Sequence, residues 1–374
     1  MGGSATRRSA APSPVRRLAA ALAVPALAVV TALVLGALVI VLSGGDALLA
    51  YQGLWEGSLG KPDSISESLV WATPYIFGGL AVALAFRAGL FNIGAEGQIG
   101  VGALCAVFVG YAVTFLPGPL HLLAALAAGC LGGALWGFVP GLLKARTGAH
   151  EVITTIMLNY VAIQVTSWLL AGPMKDPSPF VVVAQTPKVL ESARLPALVE
   201  GYRIHWGFVL ALLAALAVWW LLGRTTVGFE IRTVGANPHA ARYGGISVPG
   251  TIGLTMALSG LLAGLAGTVE VIGLNYYHTP GFSVGYGYDA IAVALLGRGH
   301  PLGLVLSALL FGALRAGATR MQFLSQIPID IISIIQALIL IFVAAPEIVR
   351  FIYRLRAPGP DDQPQLSAHW AKAE

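Results

Sequence analysis

The sequence predicts an all-α polytopic membrane protein with about ten transmembrane helices. Hydrophobic residues make up 57% of the 374-residue chain and charged residues only 10%, whereas a soluble domain carries about 25% charged residues. Apolar runs long enough to cross a bilayer follow one another, separated by polar segments. Because lipid offers the backbone no hydrogen-bonding partners, segments of this length must be helical.

The apolar runs define ten predicted spans, at residues 18–42, 68–86, 95–116, 119–143, 151–171, 205–222, 250–272, 287–297, 301–319 and 328–349. The first run is longer than the ~7–15 residues of a signal-peptide core, so a retained span is expected. Residues 1–17, which are rich in Ala, Ser, Pro and Arg, are expected to form a disordered basic tail. Residues 350–374 are expected to form a second tail.

The distribution of positive charge predicts that both termini are cytoplasmic. An even number of spans returns the chain to the side where it began. With the N-terminus inside, fifteen of the 22 Lys and Arg residues fall in cytoplasmic segments and seven in external ones. Four of those seven lie in one long external loop, 172–204, and long loops weigh little in the positive-inside rule.

Two segments are unusual for membrane spans. Residues 287–297 are too short to cross, and residues 89–102 interrupt an apolar run with five glycines. Phe91-Asn-Ile-Gly94 aligns with Phe282-Ser-Val-Gly285, and by the span count the two copies run in opposite directions. Weak internal similarity with interrupted helices in both halves predicts two inverted repeats with a solute path between them.

Polar residues inside a membrane are costly, so those near the two breaks and in the fifth span are candidates for a translocation pathway. The candidates are Phe91, Asn92, Glu96, Gln98, Asn159, Gln164 and Asp289. A structural alternative exists for each group. The acids at the two breaks can instead cap the start of a half-helix, at its positive end. The two amides of the fifth span, at i and i+5 and so roughly on one face, can instead form interhelical hydrogen bonds.

The polar segment 223–249 separates the sixth and seventh spans. Within it Asn237-Pro238 can start a helix and Gly244-Gly245 can end it. We therefore expect a helix of one or two turns between two spans, a rigid element on which another protein can push. The alternative is an ordinary helix in a loop.

The sequence contains no motif that indicates an enzyme active site. His150-Glu151 lacks the second histidine of a zinc-protease helix, because position 154 is threonine. No phosphate-binding loop, nucleophile elbow or cysteine pair at metal spacing occurs. We therefore expect no catalytic residue, metal or cofactor. The basic residues lie in short blocks between apolar runs, so no nucleic-acid partner is expected.

Three motifs together resemble the permease subunits of ABC importers for branched-chain amino acids, simple sugars and nucleosides. Phe91-Asn-Ile-Gly-Ala-Glu-Gly-Gln98 is similar to the first-half motif of that family, and Gly287–Gly297 to its second-half motif. The loop 228–246 is similar to its cytoplasmic coupling segment. The resemblance implies that coupling to an ATPase involves Gly228, Arg232, Gly235, Asn237, Ala240, Ala241, Gly244 and Ile246.

Within that family, residues 155–160 and the loop 172–204 resemble the larger permease subunit of general nucleoside importers. The resemblance implies a bacterial cell-membrane protein that passes a small neutral solute, most simply a nucleoside. It also implies a second similar permease subunit, ABC ATPase subunits and an extracellular solute-binding lipoprotein as partners. The alternatives are a permease for ribose-like sugars, an ion-coupled secondary transporter that uses Glu96 and Asp289, and a membrane scaffold without a polar path.

Overall fold

The computed structural model describes residues 14–328, 330–344 and 346–354. Within these ranges the chain is helical, and the only β-type pairing is an isolated bridge between Ala197 and His205. The prediction of an all-α fold is therefore confirmed. Residues 1–13 and 355–374, which hold most of the two predicted tails, lie outside the described residues. The chain divides into two compact units, Gly45–Ile329 and the terminal segments Met1–Gly44 with Asp330–Glu374.

The helices of both units follow the predicted runs in order. The terminal unit holds α1 (Pro14–Leu42), α13 (Asp330–Ala344) and α14 (Pro346–Ile352). The larger unit holds α2 (Ala47–Ser58), α3 (Pro62–Arg87), α4 (Ala95–Ala112), α5 (Gly118–Thr147), α6 (Glu151–Ala171), α7 (Gly207–Arg224), α8 (Thr226–Ala236), α9 (Pro238–Tyr243), α10 (Val248–Glu270), α11 (Tyr286–Leu296) and α12 (Pro301–Ser325). A π-helical turn, Val271–Asn275, continues α10, and a 3-10 turn, Glu191–Ala193, lies between α6 and α7.

In the described part of the chain, seven helices are long and apolar enough to cross a membrane, by length and composition. They are α3, α4, α5, α6, α7, α10 with its π-helical turn, and α12. Shorter apolar stretches of described residues in α1 (Ala26–Leu42), α11 (Tyr286–Leu296) and α13 (Asp330–Ile339) coincide with three more predicted runs. The total of about ten crossings, the inverted repeats and the orientation of the termini stay predictions.

One short helix at the start of the larger unit differs from the sequence-based expectation. α2 was not expected, because its 12 residues are too few to span. Its N-cap is Asp46, whose carboxylate accepts hydrogen bonds from the backbone N–H groups of Leu48 and Leu49. The last expected span, 328–349, coincides with α13 and α14, which lie on either side of residue 345, outside the described ranges.

The core of the larger unit forms around α3, whose side chains from Thr73 to Ala85 are all buried. α3 packs against α10, α11 and α12. α5 and α10 cross with their backbones in contact, since a Cβ added at Gly133 would lie 2.3 Å from the Gly260 carbonyl oxygen. Small residues at such crossings are typical of helix packing in membranes.

The loop 172–204 is an ordered layer on the π-helical end of α10. The Val189 N–H donates to the Tyr276 carbonyl oxygen at 2.7 Å, and the Leu195 N–H donates to the Ile272 carbonyl oxygen at 2.9 Å. The Val189 side chain is fully buried, whereas Phe180 is 91% exposed. The loop therefore has a packed base and an open tip.

The terminal unit is formed by α1, which packs against α13 and α14. The Thr31 hydroxyl lies 3.0 Å from the Tyr353 hydroxyl, so α1 shares a hydrogen bond with the residue that directly follows α14.

Candidate functional site

The N-termini of the two interrupted helices meet in the larger unit. α4 starts after Gly94 and α11 after Gly285, the two glycines that the internal alignment equates. The backbones touch, because a Cβ added at Gly287 would lie 2.2 Å from the Glu96 amide nitrogen. Two positive helix ends therefore converge at one place. We call this place, residues 91–98 with residues 285–289, the junction.

Two carboxylates lie at the junction, each in the first turn of its own helix. The Gly287 N–H donates to Glu96 Oε2 at 2.7 Å, so Glu96 of α4 caps the start of α11. The Tyr75 hydroxyl of α3 donates to Asp289 Oδ2 at 2.8 Å. The positive end of each helix stabilises the negative charge of the acid in its first turn. The geometry supports the capping interpretation of Glu96 and shows a direct hydrogen bond between α4 and α11.

Asn92 and Gln98 form a buried hydrogen-bond network that supports the break before α4. Asn92 is 0% exposed and Gln98 1%. The Asn92 Nδ2 group donates to Gln98 Oε1 at 2.9 Å and to Ser259 Oγ at 2.8 Å, while Asn92 Oδ1 accepts from the Gly94 N–H at 2.9 Å. Phe91 is half-buried, and its ring lies 5.0 Å from that of Phe86. In this conformation the two amides hold protein groups, which fits a structural role.

Asn159 joins the junction from α6, whereas Gln164 does not. Asn159 is 0% exposed; its Oδ1 accepts from the Gly97 N–H at 2.8 Å and its Nδ2 donates to the Ile93 carbonyl oxygen at 2.9 Å. It therefore satisfies backbone groups that the break leaves free. Gln164 is exposed on the same helix. At 3.6 residues per turn, five positions rotate a side chain to about 140° from the first, so the expectation of one shared face was wrong.

The predicted short helix between the sixth and seventh spans is present as α9. Asn237 Oδ1 accepts from the N–H groups of His239 and Ala240 at 2.9 and 3.1 Å, and Gly244 follows the last helical residue. The expected start and end are confirmed. Sequence analysis missed that α8 precedes it. The signal for α8 was Thr225, whose hydroxyl accepts from the Gly228 N–H at 3.0 Å as an N-cap.

α8 and α9 together form what we call the elbow, residues 226–243. Its inner face buries Ile231, Val234 and Ala241, and the last two pack with Val248 and the half-buried Ile246. Its outer face carries Phe229, which is 57% exposed, and Tyr243, which is 99% exposed. The coupling candidates divide between the two faces: Gly228, Gly235, Ala241 and Ile246 lie toward the protein, and Arg232, Asn237, Ala240 and Gly244 lie toward the surface.

The elbow rests on the end of α3. A Cβ added at Gly235 would lie 2.2 Å from the Arg87 carbonyl oxygen, so only glycine allows this approach. The Arg87 guanidinium in turn donates through Nη2 to the Gly299 carbonyl oxygen at 2.9 Å, in the turn after α11. The elbow therefore contacts α3 directly and is linked through Arg87 to the turn that follows α11.

Sequence analysis did not select the aromatic residues beside the junction. The Tyr75 ring lies 5.4 Å from that of Tyr286 at 80°, and 6.2 Å from that of Phe311 at 76°. Tyr75 therefore donates a hydrogen bond to Asp289 and also packs edge-to-face against two aromatic rings of the core. In the sequence, tyrosines in apolar runs cannot be told from ordinary core residues, and no other signal marked them.

Comparison with known proteins gives concordant matches. A family model described as the permease component of branched-chain amino acid transport systems matches residues 64–344. The guanosine ABC transporter permease protein NupP of Bacillus subtilis is 43% identical over 339 residues, which cover 88% of this chain and 95% of that protein. No solved structure matches.

Two further relatives differ in the solute that their names state. The glucose ABC transporter permease protein TsgB13 of Haloferax volcanii is 35% identical over 333 residues, 86% of this chain and 87% of that protein. The nucleoside ABC transporter permease protein NupB of Lactococcus lactis is 34% identical over 342 residues, 90% of this chain and 93% of that protein.

Proposed function

The chain belongs to the family of permease components of branched-chain amino acid transport systems, and we propose that it passes nucleosides through the bacterial cell membrane. It is a multi-pass permease subunit of an ABC importer. The observation that carries the nucleoside assignment is the 43% identity to a guanosine permease over 95% of that protein. The second candidate solute is a simple sugar, favoured by the 35% identity to a glucose permease.

The proposed assembly contains a second similar permease subunit, ABC ATPase subunits and an extracellular solute-binding lipoprotein. Both termini lie in the cytoplasm, and about ten helices, arranged as two inverted repeats, cross the bilayer. Support for the repeats comes from Gly94 and Gly285, which align in the sequence and precede the two helices that meet at the junction.

The elbow is the proposed docking element for the ATPase on the cytoplasmic side. Its outer face presents Phe229, Arg232 and Tyr243, the mixture of aromatic residues and arginine that is enriched at protein interfaces. Its inner face is fixed to α3 through the close approach of Gly235 to Arg87. Closure of the ATPase moves the elbow as a rigid body, and the movement rocks α3 and α11.

The junction is the proposed gate on the solute path. Here Glu96 ties α4 to α11, and Asp289 ties α11 to α3. Rocking of these helices opens the path when it separates the two helix ends. An ion-coupled secondary transporter would need these two acids as ion ligands but would have no use for the elbow. The family assignment therefore counts against that alternative.

Transport by the complete complex in proteoliposomes tests the proposal. We expect ATP-dependent uptake of labelled guanosine and uridine, and no uptake when ATP is omitted. We expect Arg232→Ala to lower uptake strongly, because it removes an exposed positive charge from the outer face of the elbow. The control, Arg146→Ala, changes an exposed arginine at the end of α5 and should retain uptake. Uptake of glucose or ribose alone would overturn the nucleoside assignment, and full uptake by Arg232→Ala would contradict the role of that residue in docking.

A further inference from the structure

A cavity of about 220 Å³ lies in the larger unit between α3, the end of the loop 172–204, the π-helical turn and the segment before α11. The residues of its lining that matter below are Trp71, Arg203, Glu270, Asn275, Phe282 and Tyr286. We call this cavity the vestibule.

The vestibule and the elbow lie at opposite ends of the same helices. On α3, Glu67 lines the vestibule and Arg87 contacts the elbow. Twenty residues of helix at 1.5 Å each separate them by about 30 Å, which is the thickness of a bilayer hydrocarbon core. The same holds for α10, which begins at Val248 beside the elbow and ends at Glu270 in the vestibule. If the elbow is cytoplasmic, the vestibule therefore faces the external side.

Glu270 is a buried carboxylate without an ion-pair partner in the described structure. It is only 6% exposed. Arg203, the basic residue of the cavity lining, pairs instead with Glu67, at 2.7 Å. Glu270 accepts hydrogen bonds from Asn275 Nδ2, at a long 3.5 Å, and from the Tyr286 hydroxyl. A buried acid without an ion-pair partner in a membrane helix is a functional candidate, because burying it without a use is costly.

The helix geometry places this acid beside an amide. α10 changes from α-helix to π-helix directly after Glu270, and the π-helical turn ends at Asn275. Such turns are rare and occur frequently at functional sites. The result is a carboxylate acceptor next to an amide that both donates and accepts. That pair suits a ligand with O–H and N–H groups and no net charge.

Three aromatic rings lie in the cavity lining beside the aliphatic side chains of Val70, Leu274 and Val284. The Trp71 and Tyr286 rings lie 5.9 Å apart with an angle of 55° between their planes, and Phe282 lines the cavity as well. Rings of this kind stack on the flat face of a nucleobase. The volume lies below the roughly 300–1,000 Å³ of sites for drug-sized ligands, which fits a small solute held in passing.

We propose that the vestibule is the external entry site for the solute, in which the nucleobase stacks on Trp71 or Phe282 while Glu270 and Asn275 hydrogen-bond its O–H and N–H groups. This proposal rests on the proposed function. Tyr286, which lines the vestibule, is the first residue of α11, and its neighbour Gly287 is held by Glu96. A solute in the vestibule therefore lies directly beside the junction and can move on when the junction opens.

Uptake of labelled guanosine by the complete complex, with ATP hydrolysis measured alongside, tests the proposal. Glu270→Gln keeps the shape of the side chain but loses the charge that strengthens its hydrogen bonds. We expect uptake at least tenfold lower and basal ATP hydrolysis unchanged. Glu200→Gln, at an exposed glutamate of the loop 172–204, is the matched control and should transport normally.

A second variant keeps the proposal testable if Glu270→Gln fails to fold. Phe282→Leu keeps apolar volume and removes the ring, so the KM for guanosine uptake should rise at least fivefold. Normal guanosine kinetics in either inserted variant would overturn the vestibule proposal and leave the proposed function intact. If the wild-type complex takes up glucose but not guanosine, the proposed function fails instead, so the two failures are distinguishable.

Discussion

Replacing Gly235 by alanine tests whether the elbow transmits force through its contact with α3. The new Cβ would lie 2.2 Å from the Arg87 carbonyl oxygen and 2.9 Å from the Ala88 carbonyl carbon. Contacts under 3.0 Å do not persist, so α8 must move away from α3 by about 0.8 Å. Overpacking of this kind costs about 1–3 kcal/mol, and alanine returns about 1 kcal/mol in helix propensity. The balance of about 0–2 kcal/mol leaves the protein folded with α8 displaced.

Guanosine uptake and ATP hydrolysis by the complete complex are the assay. The overpacking strain of about 1–3 kcal/mol falls on the state in which α8 packs against α3, whereas the helix-propensity gain is common to both states, so a coupled step slows about 5–150-fold. We therefore expect uptake to fall by that factor while ATP hydrolysis continues. Gly223→Ala, at the end of α7, is the matched control, because a Cβ there meets nothing within 4 Å. Unchanged uptake in Gly235→Ala, or an equal loss in both variants, would refute the reasoning.

Three further predictions concern the junction and the loop that covers the π-helical turn. Asn159→Leu leaves the Gly97 N–H without its partner at a cost of about 1–3 kcal/mol, so the unfolding temperature in detergent should fall, whereas Gln164→Ala on the exposed face should not change it. Tyr75→Phe removes the hydrogen bond to Asp289 and should lower the unfolding temperature less than Asn159→Leu does, because a half-buried carboxylate can recruit water; an equal or larger loss would contradict this. Burial lowers the pKa of His278 to about 4, from 6.5, so the unfolded state takes up a proton first as the pH falls. Stability should therefore decline between pH 6.5 and 4, by about 3 kcal/mol in total, and His278→Phe should flatten that part of the unfolding profile.

The sequence predicted the helices well because membrane spans are set by length and hydropathy alone. α6 was expected at 151–171 and runs from Glu151 to Ala171, and the capped start of α9 at Asn237 follows from local chemistry. α2 was missed because a 12-residue apolar helix has neither the length nor a strong periodicity to mark it.

The residues at the junction could be predicted as a group but not by role. Because polar side chains are costly inside a membrane, Glu96, Asn92 and Asp289 could be selected as candidates from the sequence. Their partners, however, come from distant parts of the chain. Asp289 is bonded by Tyr75, 214 positions away, and Asn159 supports Gly97, 62 positions away. No local pattern encodes such pairings. Glu270 was passed over for the same reason, because the cavity that it lines is assembled from four separate segments.

Photo-crosslinking from the elbow is the most direct test of an ATP-driven mechanism. A photoreactive phenylalanine analogue at Tyr243 is a conservative change at a side chain that is 99% exposed. Irradiation of cells that express the complete complex should give an adduct with the ATP-hydrolysing subunit, identified by mass spectrometry. The same analogue at Phe180, 91% exposed at the tip of the loop 172–204, should give none with that subunit. An elbow that crosslinks only to extracellular protein, or never to an ATPase, would contradict the mechanism.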